Sequence, residues 1–182
     1  IISEGDTTDS LYVILSGEVK IYVSDDSGRE LVVNIQKEGD YLGELALLDD
    51  QPRSASVMTL KPSKFSVISK KCIEQCLADH PNIALKLPRT HPKRVRLLTE
   101  NIKSLALMDV YGRVAKTLIS LATKENNELI IKQKLTHQDI ANRVGASREM
   151  VSRIMKELST GGYITITEDN HIIINDNLPY AW

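Results

Sequence analysis

The sequence predicts an α+β fold in which a sheet-forming front half gives way to a helical back half. Three observations predict it. The first ninety residues hold short alternating or β-branched runs separated by turn residues. From Lys70 apolar residues recur at helical spacing, and near the C-terminus two helical segments around Gly145 precede two further strands. The 182 residues and 20.3 kDa suit one large domain or two small ones. With 42% hydrophobic and 26% charged residues there is enough apolar material for a core, and no apolar run reaches the length of a membrane span. A membrane protein and a disordered tail are both excluded on this reading.

In the front half Leu11–Leu15, Val19–Val23, Leu31–Ile35 and Ala55–Met58 read as strands. They are bounded by Ser16-Gly17, Asp26-Ser27-Gly28 and Glu38-Gly39-Asp40. The spacing predicts an antiparallel sandwich or jelly roll, and Asp25-Asp26-Ser27-Gly28 is its strongest hairpin signal. From Lys70 to about Leu158 the pattern reads as helical, interrupted at Pro88 and Pro92. The economical reading is a helix capped by Thr90 with Pro92 in its first turn. Along it Val95, Leu98, Ile102 and Leu105 form one stripe, suited either to a coiled-coil seam or to a core face.

Residues 136–158 carry the strongest signal. Thr136 and Asp139 make a capping-box-like start, Ile140, Ala141 and Val144 an apolar face, Gly145 a tight turn, and Ser147 a second cap. This is a helix-turn-helix. In the second helix Val151, Ile154 and Leu158 share one arc, while Arg148, Glu149, Ser152 and Arg153 share the opposite one. The exposed arc suits a major groove, because an arginine fork bonds guanine bidentately and a carboxylate accepts from a cytosine amino group. The competing reading, charges that merely face solvent, requires the apolar and small residues to have fallen into register by chance. After Gly161-Gly162, Tyr163–Thr167 and His171–Ile174 read as the two strands of a wing, which makes residues 111–175 a winged helix-turn-helix.

Charge follows the same division. Residues 1–88 carry 9 Lys+Arg against 14 Asp+Glu, net −5; residues 89–160 carry 14 against 7, net +7; residues 161–182 are net −3. A basic block between acidic flanks is the electrostatic footprint of a nucleic-acid-binding element once a motif supports it.

A second motif lies in the front half. Gly43-Glu44-Leu45-Ala46-Leu47-Leu48, followed by Pro52-Arg53-Ser54-Ala55, reads as a short helical turn and an arginine leading into a strand. It looks like a phosphate cassette: glycine lets backbone approach a ligand, a helix start favours an anion, and arginine neutralises one charge bidentately. Glu44 cannot serve a phosphate and needs another partner, such as a sugar hydroxyl. The competing arrangement is a plain Glu44–Arg53 ion pair.

The whole chain resembles the family of the cAMP receptor protein and the fumarate and nitrate reduction regulator. The resemblance is carried by Gly43-Glu44-Leu45 with Arg53-Ser54-Ala55, by Asp109-Val110-Tyr111-Gly112-Arg113, and by Ser147-Arg148-Glu149-Met150-Val151-Ser152-Arg153. It implies a cyclic-nucleotide-binding jelly roll over 1–88, a dimerisation helix over 89–110 and a winged helix-turn-helix over 111–182. It implies cAMP or another cyclic nucleotide as allosteric effector, a homodimer on palindromic double-stranded DNA, and RNA polymerase as a further partner. Lys124–Lys134 reads as an exposed loop and is the place to look for a polymerase contact. By similarity Glu44 bonds the ribose 2′-hydroxyl, Arg53 and Ser54 the cyclic phosphate, and Gly43 and Leu45 shape the cassette. Thr99 faces the adenine, and Glu100 stands where the cAMP receptor protein has a serine reaching across from the other subunit. Arg148, Glu149 and Arg153 match the base-reading residues. Pro88 and Pro92 depart from the family's continuous helix, and Ile1 enters within the jelly roll, so the family's first helix and strands are expected to be missing, leaving an open sheet edge.

Cys72, Cys76 and His80 recur at intervals of four, but the outer two lie about 12 Å apart along a helix axis, too far for one metal ion. They read as small buried thiols beside a histidine. Two cysteines build no disulfide framework and no leader precedes the first domain, so a reducing cytoplasm is expected. No nucleophile, base and orienting group assemble, so no catalytic residues are expected and an enzyme is not. Two other functions compete: a regulator of the same fold whose cassette is vestigial or tuned to another molecule, and a nucleotide sensor acting through protein contacts alone.

Overall fold

In the computed structural model, which describes residues 1–80, 91–125, 128–175 and 178, the chain forms two compact units, residues 1–99 and 100–182. In the first unit strands β1 (Ser10–Ser16), β2 (Glu18–Ser24), β3 (Glu30–Lys37) and β4 (Tyr41–Leu42) precede the short helix α1 (Leu45–Asp49), then β5 (Ser56–Thr59), β6 (Lys64–Ser69) and α2 (Lys70–Asp79). They pair as two antiparallel three-stranded sheets, β4-β1-β6 and β3-β2-β5. The inward residues Ile14, Val19, Leu42 and Val57 are buried between the sheets with Ile2, and Tyr12, Ile21 and Phe65 pack around them. The four sequence-read strands are present. The additional strands β4 and β6 are short or carry little alternation.

The β2–β3 hairpin turns where the sequence places it. Gly28 sits at φ 78°, and the Asp25 carboxylate accepts from the Ser27 amide at 3.0 Å, the Ser27 hydroxyl at 2.6 Å, and the Arg29 amide and Nε at 3.0 and 2.8 Å. These bonds, first those from Ser27 and then from Arg29, hold the Asp25 carboxyl well below the usual carboxylate range. In α2 the thiols are not buried: Cys72 is exposed and Cys76 half-buried, because α2 is an amphipathic turn laid over the sheet edge with no fully buried residue. Among the described residues no cluster of three His, Cys, Asp or Glu is placed to hold a metal ion.

Helix α3 (His91–Leu107) follows, with Pro92 in its first turn, where a missing amide proton costs no hydrogen bond. The expected Thr90 cap and Pro88 lie outside the described residues. Val95, Leu98, Ile102 and Leu105 are exposed in the single chain, Val95 by 60% and Ile102 by 66%. The second unit continues with α4 (Val110–Leu121), β7 (Thr123–Glu125), β8 (Glu128–Ile131), α5 (His137–Val144), α6 (Arg148–Thr160), β9 (Ile164–Ile166) and β10 (Ile172–Ile174). The helical reading from Lys70 to Leu158 is therefore corrected. Residues 123–125 and 128–131 are strands, and β8 joins the wing in a sheet of order β7-β8-β10-β9. Tertiary pairing decides this: Ile131 lies opposite Ile172 and is 1% exposed in the core. The expected Lys124–Lys134 loop is largely this pair of strands, with Lys132 bonded to Glu125 at 2.7 Å.

The core of the second unit is one cluster, in which Val114, Leu118, Ile131, Ile140, Val144, Val151, Leu158 and Ile164 are fully or almost fully buried. Arg113 reaches across it, donating from Nε to the Val144 carbonyl at 2.8 Å and from Nη1 to the Met108 carbonyl at 2.9 Å. Among the described residues no helix is long and apolar enough to cross a membrane.

Candidate functional site

In the first unit Gly43, Glu44, Leu45, Arg53 and Ser54 line one cavity of ≈ 260 Å³. Gly43 adopts φ 85°, and a Cβ there would stand 2.5 Å from Arg53 Nη1 and 2.8 Å from the Ser10 carbonyl. Glycine is thus required both by the backbone and by the arginine beside it. Arg53 is 4% exposed. Its Nε donates to Thr8 Oγ1 at 3.1 Å, its Nη1 to the Gly43 carbonyl at 2.7 Å and its Nη2 to the Ser10 carbonyl at 2.7 Å. The guanidinium is thereby oriented by backbone at the cavity wall, with two of its five N–H groups outside these three bonds. Ser54 is exposed at the rim.

Glu44 does not pair with Arg53. Its carboxylate accepts from Arg94 of α3, and both side chains are largely shielded, at 20% and 14% exposure. Arg94 also donates to the Tyr41 carbonyl and lies 4.6 Å over the Tyr41 ring. The buried Gln36 joins it once its amide is oriented to accept from Arg94 at 2.9 Å and donate to Tyr41 at 3.2 Å. Sequence reasoning missed Arg94, whose only signal is the basic run Lys93-Arg94-Val95-Arg96 at the start of the helix.

Thr99 and Glu100 do not line this cavity. Thr99 is exposed and its hydroxyl donates to the Val95 carbonyl at 3.0 Å, while Glu100 lies 3.8 Å from Lys116 in the second unit. The helix residues that line the cavity are Arg94, Leu97 and Leu98. Ile21, Val23, Val33 and Asn34 of β2 and β3 line the same cavity.

In the second unit the helix-turn-helix forms as the caps dictate. Thr136 accepts from the Asp139 amide at 3.1 Å while the Asp139 carboxylate accepts from the Thr136 amide at 2.8 Å, a complete capping box. Gly145 ends α5 at φ 63°, and Ser147 caps α6 by accepting from the Met150 amide at 3.2 Å. On α6 Val151, Ile154, Met155 and Leu158 are buried. Arg148, Glu149 and Arg153 are exposed together on the other face, and Ser152 is half-buried at its margin.

Comparison with known proteins gives both halves a counterpart. A family model described as a cyclic nucleotide-binding domain matches residues 1–80, and one described as a Crp-like helix-turn-helix domain matches residues 112–177. The chain is 35% identical over 181 residues to the CRP-like cAMP-activated global transcriptional regulator of Mycobacterium tuberculosis H37Rv, covering 97% of this chain and 80% of that protein. It is 34% identical over 170 residues to the cAMP-activated global transcriptional regulator CRP of Salmonella typhimurium, covering 91% and 80%. Among solved structures, the c-di-GMP responsive global regulator CLP of Xanthomonas campestris superposes with a TM-score of 0.83 at 26% identity, covering 96% of this chain and 87% of that one.

Proposed function

Because the chain belongs to the Crp/Fnr family of DNA-binding transcription regulators, we propose that it is a homodimer whose front cavity binds a cyclic nucleotide, cAMP foremost, and whose α6 reads DNA. Arg53 and Ser54 would take the cyclic phosphate, Glu44 the ribose hydroxyl, and Gly43 and Leu45 would give the cassette its shape. Arg148, Glu149, Ser152 and Arg153 would meet the major groove. The exposed stripe of Val95, Leu98, Ile102 and Leu105 would be the seam with the second copy, from which that copy's Thr99 or Glu100 could approach the effector. Two recognition helices related by a two-fold axis read a palindrome with half-sites one helical turn apart. The effector acts by binding one arrangement of the dimer better than the other. RNA polymerase is a further proposed partner, at Lys124–Lys134, and the reducing cytoplasm the proposed compartment.

The observation that carries this reading is the grouping of Gly43, Glu44, Arg53 and Ser54 around one cavity of ≈ 260 Å³, with Glu44 and Arg53 held apart rather than neutralising each other. Operator binding measured with and without cAMP at fixed salt tests it. A rise in affinity with the nucleotide is expected, and equal affinity removes the ligand from the mechanism.

One observation favours a second reading, in which the cavity is tuned to another small molecule or regulates without one. Arg53 already donates three hydrogen bonds to the protein, so a phosphate must be met by the remaining two N–H groups or displace a carbonyl. The CLP protein of Xanthomonas campestris is described as a c-di-GMP responsive global regulator. Calorimetry with cAMP, cGMP and c-di-GMP, with Arg53→Ala as control, separates the two readings.

A further inference from the structure

We propose that Asn34 reads the base of the effector, donating a hydrogen bond from its side-chain amide to an acceptor on the purine ring; this rests on the cyclic-nucleotide reading of the cavity. The strand register puts Asn34 there. In β3 it lies opposite Ile21 of β2, and the pairing slips by one residue immediately beyond, between Ile21 and Tyr22. That bulge breaks the alternation, so that Val33 and Asn34, neighbours in sequence, both line the cavity.

The cavity wall carries two chemically different sets of residues. Gly43, Arg53 and Ser54, from the stretch around α1, make a polar set suited to an anion. Val23 and Val33 from β2 and β3, with Leu97 and Leu98 from α3, offer apolar contact of the kind a base needs, and Asn34 is the neutral polar side chain that β3 adds to the wall. The remaining polar side chains of the wall are engaged: Glu44 with Arg94, and Gln36 with Tyr41 and Arg94.

Asn34 also has a defined orientation. Its Oδ1 accepts from the Ile35 amide at 2.8 Å, and only the oxygen of a carboxamide can do so. The oxygen is therefore held by backbone, and the Nδ2 donor is the group left to meet a ligand. A donor on the cavity wall matches a ring nitrogen of a purine and does nothing for a C–H at the same place. Burying an acceptor with its donor supplied is favourable, and burying it without is not.

The test is a thermodynamic cycle on the full-length chain by calorimetry, using cAMP and its 1-deaza, 3-deaza and 7-deaza analogues, each of which replaces one ring nitrogen with C–H. Wild type is expected to bind one analogue about five- to tenfold more weakly than cAMP, the size of one neutral hydrogen bond. Asn34→Leu is expected to bind cAMP and that analogue equally, within about twofold. Asn34→Asp keeps the acceptor for the Ile35 amide but has no donor, and is expected to lose the same discrimination, which guards against a packing defect in the leucine variant. If wild type binds all four alike, or if both variants keep the discrimination, the assignment of Asn34 is wrong while the cavity reading stands. If wild type binds none of them, both fall.

Discussion

Glu44, in the turn that opens α1, and Arg94, on α3, form an ion pair across fifty residues of sequence, with both side chains mostly shielded from water. The pair ties the start of the long helix to the cassette within the first unit. It also removes the competing arrangement, a Glu44–Arg53 bridge, and leaves Arg53 held by the Thr8 hydroxyl and two backbone carbonyls instead.

Arg94→Ala is expected to take one cationic partner from the mostly shielded Glu44 carboxylate, at a cost of about 2 kcal/mol, since breaking such a pair costs more than the pair contributes. Arg94→Ala combined with Glu44→Gln should recover part of that loss, because the carboxylate that had lost this partner is now neutral. Chemical denaturation of the two variants checks it, and no recovery in the double variant would show that the Tyr41 contacts, not the charge pair, carry the effect.

Asp25 gives the fold a pH dependence with a definite sign. Its carboxyl is held well below the usual range by hydrogen bonds from Ser27 and Arg29, so the folded form is favoured while the group is ionised. A lowered folded pKa contributes stability above the unfolded value of about 4, and this is lost as pH falls below it. The melting-temperature difference between wild type and Asp25→Ala should therefore be constant from about pH 5 to 7 and shrink as the solution is acidified below about pH 4. A difference that grows in acid would refute the assignment.

What the sequence made legible is what local chemistry decides. Thr136, Asp139, Gly145 and Ser147 name the ends of α5 and α6 without help from the rest of the chain, and Gly28 with Asp25 names a hairpin. Strands β7 and β8 were not legible, because Ile130 and Ile131 become strand only by pairing with Ile173 and Ile172, more than forty residues on. The cassette residues were legible as a group, yet Glu44's partner was not, since Arg94 reads as one more charge in a basic helix start. In the single chain Thr99 and Glu100 do not line the cavity, and the part proposed for them depends on the second copy. The helix residues that line it in the single chain, Arg94, Leu97 and Leu98, carry no motif that the sequence shows.

Arg113 holds the Val144 carbonyl at the end of α5 and the Met108 carbonyl just beyond α3 with one guanidinium. Arg113→Ala removes both donors from partly buried acceptors and is expected to destabilise the second unit by about 1–3 kcal/mol. Arg113→Lys keeps the charge but not the fork, so it should recover less than half of the loss. Amide exchange of α5 and α6 separates this from a surface effect: their protection should fall in both variants.

The exposed face of α6 makes a prediction that distinguishes reading DNA from merely attracting it. If Arg148 and Arg153 meet base edges, Arg148→Ala and Arg153→Ala should each cost about 1–3 kcal/mol on the preferred operator and relax preference at one base pair per half-site. Lys156, exposed on the same helix, serves as the contrast: Lys156→Ala should weaken binding evenly across sequences and lower the salt slope by about one. Glu149 is the sharper probe, because a carboxylate beside phosphates opposes unspecific attraction. Glu149→Ala should therefore bind random DNA more tightly while losing selectivity for its operator, a combination that solvent-facing charge cannot produce. Competition binding over a library of operator variants at two salt concentrations reads all four substitutions at once. A set of variants indistinguishable from wild type would move α6 from the DNA groove to a protein surface.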